Sequence, residues 1–381
     1  MLKEEQFLSR RAIERLRDGL FDPIAVDRLT IEEKSVQTIF SQGLDALEKG
    51  LGEPLCICGP YGYGKSHTLL YLNHQALQKG YATSVIPLDF REVPFHKFSI
   101  VYQTLMKNLL LPDGQTFIKA WKEDDNPRLL ENLDEMPYRF QTILTALLSK
   151  KKVLTSKEKN LKKYRDYQPK EHERWLKEAL MGYDIPISNL KKALKYRDVK
   201  PKSSLLCRES MLYMQMVQSL GELFKKMGYK GLVLFFDEGE SIAQMSLLCR
   251  ANSYVLLDLF FHKSPSLYPI FAFTEDFFDK VHNEPYDKDI FLKNYAESWK
   301  HINLIRLGEI PPEKWEILLK RLIELYGKAY QVTLPSDIQN ILYPLLKTLE
   351  GQETRFKLKS LISKLDIESQ KILLYKTPSL Q

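Results

Sequence analysis

The stretch GPYGYGKS at 59–66 constrains this chain more than any other feature. It reads as Gly, four residues, then Gly-Lys-Ser, the phosphate-loop spacing. Gly59, Gly62 and Gly64 let the backbone curl until successive N–H groups point inward as an anion cradle. Pro60, Tyr61 and Tyr63 complete the loop. A helix starting here adds its positive N-terminal end. Lys65 is expected to reach the outer phosphates of a nucleotide, and Ser66 to offer its hydroxyl to Mg²⁺. His67 is a candidate for nucleotide or partner contact, or for ordinary packing one turn into a helix. The flanks fit this reading. LCIC (55–58) is a short apolar run stopped by Gly59-Pro60, a helical stretch runs over 66–78 to Gly80, and TSVIPLD (83–89) is a second strand. Strand, helix, strand implies a parallel crossover unit.

LVLFFDEGES at 232–241 supplies the complementary chemistry. A buried strand delivers Asp237 to its carboxyl end, where sheet ligands bind. Asp237 is expected to hold Mg²⁺, through water, and Glu238 to act as general base on the attacking water. Both acids are expected on a strand neighbouring that of the phosphate loop. Glu240 is expected to face solvent or a helix N-terminus. Thr274, ending YPIFAFT, is placed to orient water beside these acids, or simply ends a strand. Three arginines suit charge stabilisation in phosphoryl transfer: Arg355 as a lid sensor, Arg250 as a finger toward a neighbouring subunit, and Arg306 at the end of the last strand. Surface salt bridging is the plainer alternative for each.

Further apolar runs, GLVLFFD (231–237), LYPIFAFT (267–274) and INLIRL (302–307), bring the expected strands to five, all separated by helical stretches. The predicted fold class is α/β, a P-loop NTPase parallel sheet covered by helices. The predicted organisation is N-terminal helices over 1–50, a core over 51–310 with a strand-free helical insertion at about 95–205, and a C-terminal helical lid over 311–381. Cys56 and Cys58 are read as small core side chains pointing to opposite faces rather than as a metal or redox pair.

Of 381 residues, 44% are hydrophobic and 4 are cysteine, which excludes a disordered chain and a disulfide scaffold. The apolar runs are too short for a membrane span, and the charged N-terminus lacks a secretory core. A soluble, cytoplasmic protein is expected, with no membrane partner. The net charge of +7 is concentrated: residues 149–202 hold 17 Lys/Arg against 7 Asp/Glu. That segment, with Tyr164 and Tyr167 interleaved, is a candidate for DNA-backbone contact. A solvated face or protein-docking surface has the same composition.

With these residues in view, the chain resembles AAA+ ATPases of the origin-recognition and helicase-loader type. More narrowly it resembles the BREX-system ATP-binding, BrxD-like family. The stretches that carry this are RRAIERLRDGL (10–20), GPYGYGKSHTLLYL (59–72), LDFREVPFHK (88–97), RWLKEAL (174–180), GYKGLVLFFDEGESI (228–242) and TRFKLKSLISKLD (354–366). The resemblance implies a Mg²⁺-dependent ATPase in a bacterial anti-phage or DNA-processing system, with helicase-like or DNA-modifying partner proteins and the option of a homo-oligomer. It carries over Lys65, Ser66, Asp237 and Glu238 as nucleotide residues, then Thr274 and Arg355. The segment ETRFKLK departs from the Gly-x-Pro-Arg form of a lid sensor. A nucleotide-gated signalling or scaffold protein with slow turnover is the alternative.

Overall fold

A computed structural model describes residues 2–20, 22–31, 34–124, 127–131, 136–149, 168–284 and 290–376. Five strands form one sheet: β1 (Leu55–Cys58), β2 (Ala82–Pro87), β3 (Leu232–Asp237), β4 (Leu267–Phe273) and β5 (Asn303–Arg306), in the order β2-β3-β4-β1-β5. Every pairing is parallel. The five strands lie where the apolar runs predict them. The order adds something the runs do not contain: β4 sits between the phosphate-loop strand β1 and the acidic strand β3. The acids are therefore one strand removed from the loop, not on its neighbour.

Strand alternation sorts the side chains into two layers. Val233 and Phe235 of β3, Tyr268 and Ile270 of β4 and Leu55 and Ile57 of β1 face one core. Helices α3 (Lys34–Glu48) and α4 (Lys65–Gln78) supply its cover, through Phe40, Leu44, Leu69 and Leu72. Leu234, Phe236, Phe271 and Phe273 face the other core. Cys56 and Cys58 share that second face, because residues two apart on a strand point the same way. Burial of both thiols suits packing, as expected, and corrects their expected opposition.

The second core runs without a break into the insertion. Helices α5 (Phe98–Lys107), α6 (Phe117–Asp124), α7 (Tyr138–Leu148), α8 (Pro169–Leu180) and α9 (Ile187–Lys195) contribute Phe98, Trp121, Phe140, Leu176 and Leu190 to it. Helices α10 (Ser210–Lys226) and α11 (Leu247–Phe260) close it against the sheet. At its centre Phe236 stacks on Phe271 with ring centroids 4.4 Å apart. Short helices α12 (Glu275–Asn283) and α13 (Tyr295–Ser298) follow β4. Residues 150–167, which hold much of the basic segment, lie outside the described residues.

A third core is wholly helical. Ala12 and Ile13 of α1 (Leu2–Asp18) and Leu29 of α2 (Pro23–Leu29) pack with Leu322, Leu342 and Leu365 of α14 (Pro312–Tyr330), α15 (Ile338–Thr348) and α16 (Thr354–Lys376). Arg17 bonds Asp366 at 2.9 Å, and Tyr326 donates to the same carboxylate at 2.7 Å. The first fifty residues, expected as one segment, thus divide. Helices α1 and α2 join the C-terminal helices in one unit, and α3 belongs to the sheet. Among the described residues no helix is long and apolar enough to cross a membrane.

Candidate nucleotide site

The phosphate loop leaves β1 at Gly59. A Cβ there would stand 2.7 Å from the Leu307 carbonyl oxygen, so the close approach to β5 requires glycine. Gly62 and Gly64 have φ of 82° and 94°, the left-handed region glycine occupies without penalty. Gly64 is the N-cap of α4, so the helix opens directly beneath the loop. The buried Lys65 ammonium donates to the carbonyls of Gly59 (2.9 Å) and Pro60 (3.1 Å). It is thereby folded back along the loop. Ser66 hydrogen-bonds the Asp237 carboxylate, which also accepts the Glu238 N–H at 3.0 Å.

Burial pushes the Asp237 carboxyl up, against the pull of Ser66, the Glu238 amide, Lys65 and Arg355. Glu238, more open to solvent, is also raised, first by burial and then by the negative Asp237 and Asp89. Its backbone is left-handed at φ 57°, a conformation that costs a non-glycine residue about 1–2 kcal/mol. The same backbone turn leads into the 3₁₀ segment Gly239–Gln244 and carries Glu240 into the pocket. Of the two expectations for Glu240, the helix N-terminus holds, since it sits in the first turn of this 3₁₀ segment, and open solvent does not. It is partly buried, and its carboxyl is raised by that burial.

The pocket has a volume of about 430 Å³ and joins loop and acids to the third core. Its polar end holds Lys65, Ser66, Asp237, Glu238 and Glu240. Its apolar end holds Leu16, Leu29, Ile31, Leu318 and Leu358 from α1, the α2 exit, α14 and α16. Arg355 also lines it, with its guanidinium 5.3 Å from the Tyr61 ring centroid and an N–H on the Tyr61 hydroxyl at 3.2 Å. His67 is partly buried, with Nε2 2.6 Å from Thr30 Oγ1. Since that hydroxyl donates to the Val26 carbonyl at 2.6 Å, the imidazole is the donor to it. Burial lowers the His67 pKa to about 4, which keeps the ring neutral.

Not every candidate converges here. Thr274 ends β4 as the N-cap of α12, outside the pocket lining and without a side-chain cap bond. Arg250 lies elsewhere, in an ion pair with Glu284 (Nε–Oε2 3.1 Å), and donates to the Met245 carbonyl at 2.7 Å. Serving as an inter-subunit finger requires it to release this partner. Arg306 ends β5 beside Cys58. Sequence reasoning missed the Thr30–His67 bond and the apolar wall from α1 and α2, and it named Glu240 without placing it in the pocket. It also missed Glu353, whose side chain packs so close to Gly62 that a Cβ there would stand 2.4 Å from the carboxylate.

The donor set fits a metal–nucleotide on this structure's own terms. A serine hydroxyl and a carboxylate meet at the start of a helix, beside glycines whose backbone needs left-handed φ. Glu240 Oε2 is buried without a partner at the same end.

No curated protein matches the chain. The Walker-type ATPase PABY2304 of Pyrococcus abyssi aligns over 91% of this chain and 72% of its own at 12% identity, with a TM-score of 0.43. The model of the family described as BREX system ATP-binding protein BrxC/D matches residues 6–117 and 208–371, leaving out most of the helical insertion. With the match spanning phosphate loop, acidic strand and C-terminal helices, the chain belongs to the BREX system ATP-binding protein BrxC/D family.

Proposed function

We propose that the chain hydrolyses ATP and converts the change of nucleotide into movement of the helical unit formed by α1, α2 and α14–α16. One observation carries this reading: a single pocket gathers Lys65, Ser66, Asp237, Glu238 and Arg355 from the sheet and from the helical unit. The loop N–H groups and Lys65 bind the β- and γ-phosphates. Lys65 turns from its two loop carbonyls toward them. Ser66 and Asp237 hold Mg²⁺, which when bound neutralises charge on the phosphates and the leaving oxygen. Glu238 accepts the proton of a water whose oxygen bonds the γ-phosphorus as the bond to the β-phosphate oxygen breaks and ADP leaves with that electron pair. Arg355 offers positive charge to the terminal phosphate from the helical unit; Thr274, outside the pocket lining, takes no part in this scheme.

The adenine lies against the apolar end, which the helical unit supplies in large part through Leu16, Leu29, Leu318 and Leu358. The phosphates bind the sheet. Nucleotide therefore bridges two bodies, and losing the γ-phosphate alters the grip of one on the other. Glu238→Gln should bind ATP as tightly as wild type and release phosphate at least about 100-fold more slowly. Undiminished turnover removes Glu238 as the base.

BREX-system membership implies partner proteins. We assign the basic segment to DNA-backbone contact, supported by its charge and by the exposed Lys191, Lys195, Lys200 and Lys202. Affinity for duplex DNA should fall steeply with salt and drop on changing Lys150–Lys152 and Lys162–Lys163 to Glu. Salt-insensitive binding that ignores these changes overturns the assignment.

A further inference from the structure

Glu240 is left over when the roles above are assigned, yet its placement is costly. Gly239 presses the chain against β4 so closely that a Cβ there would stand 2.4 Å from the Phe273 ring and 2.9 Å from the Ala272 carbonyl oxygen. Glu238 adopts a left-handed backbone immediately before it. Together these set Glu240 in the polar end of the nucleotide pocket. Its carboxylate accepts Glu240's own N–H, but Oε2 is buried with no hydrogen-bond partner. A buried acceptor without a donor is a net cost that native structures keep only for a reason.

The donors around it are directed elsewhere. Ser66 and the Glu238 N–H serve Asp237, Lys65 serves Gly59 and Pro60, and Arg355 serves Tyr61. The neighbouring Ser241 hydroxyl is buried and, like Oε2, has no partner, so the two do not bond each other, and a donor for Oε2 has to arrive with the ligand. A hydrated metal ion carried on the nucleotide can supply one. Mg²⁺ on a nucleotide keeps several of its waters, and each carries O–H groups that need acceptors.

We propose that Glu240 is a positioning residue for the metal–nucleotide, its Oε2 accepting an O–H from a water held on nucleotide-bound Mg²⁺. This rests on the nucleotide reading of the pocket. It assigns Glu240 no proton transfer, which stays with Glu238. The role is to fix the orientation of the hydrated metal between Asp237 and the phosphates.

The test compares AMP-PNP affinity in EDTA and in Mg²⁺ for wild type, Glu240→Gln and Glu240→Met, with folding checked by circular dichroism. In wild type Mg²⁺ strengthens binding. Glu240→Met, of similar size but lacking a carboxylate, should lose about tenfold of that strengthening, the worth of one charge-assisted hydrogen bond. Glu240→Gln keeps a neutral acceptor and should lose about threefold. In EDTA both variants should bind as well as wild type or better, because a negative charge near the phosphates is gone. An unchanged Mg²⁺ effect in Glu240→Met overturns the proposal, and so does an equal loss with and without Mg²⁺, which marks a packing role. Failure of wild type to bind AMP-PNP under either condition overturns the nucleotide reading instead.

Discussion

His67 offers a prediction whose size follows from its surroundings. Its imidazole is neutral, partly buried against α2, and donates to Thr30 Oγ1. Burial lowers its pKa from 6.5 to about 4. The unfolded chain takes up a proton as pH falls through 6.5, and the folded chain does so only near 4. Stability from this group is therefore complete above pH 6.5 and is lost progressively on acidification toward 4. At pH 5 the loss comes to about 2 kcal/mol. His67→Gln removes the titration while keeping an N–H donor for Thr30. Urea unfolding of both proteins at pH 7.5 and pH 5 provides the assay, because the remaining titrating groups cancel in the comparison. The variant should lose about 2 kcal/mol less than wild type between the two pH values. Equal losses, or an imidazole NMR signal titrating near 6.5, would show that the ring is solvated and that the link between α2 and the phosphate helix is weak.

Other consequences follow from packing and charge. Leu322→Ala opens the helical core and should cost about 2–5 kcal/mol; hydrogen exchange should then rise together in α1 and α16, and a rise in α16 alone contradicts their shared core. Arg250→Ala strands the buried Glu284 carboxylate and should cost about 3–5 kcal/mol of stability, while ATP affinity of the folded protein stays within about threefold of wild type. Gly62→Ala forces a left-handed alanine, at about 1–2 kcal/mol, and collides with Glu353. Calorimetry of Gly62→Ala with and without Glu353→Ala should show partial recovery in the double variant.

Local signals carried much of this fold. LCIC, LVLFFD and LYPIFAF are apolar enough to be buried on both faces, and a strand buried on both faces belongs in a parallel sheet. Gly-Lys-Ser after β1 and Asp-Glu at the end of β3 mark their chemistry in the residues themselves. Long-range arrangement was not legible in the same way. That β4 lies between β1 and β3 depends on which strands pair, and LCIC, LVLFFD and LYPIFAF are all too apolar to tell their neighbours apart. That α1 and α2 join the C-terminal helices depends on complementary faces more than 300 residues apart, seen in the bond from Arg17 to Asp366. Glu240 reads as another surface acid until Gly239 is seen pressed on Phe273. A glycine between two glutamates after a buried strand was the available clue. The Arg250–Glu284 pair had no sequence signal, since an arginine on a helix has many candidate acids.

The central claim is that loop, acids and helical unit form one ATP site, and Lys65 tests it most directly. Its ammonium is buried and donates to two loop carbonyls in this structure. Calorimetric titration of wild type and Lys65→Ala with Mg²⁺–ATP should show saturable one-to-one binding to wild type. Lys65→Ala should lose at least about 100-fold in affinity, the worth of one to two charge-assisted bonds to phosphate. Matching affinities in the two proteins would contradict the account.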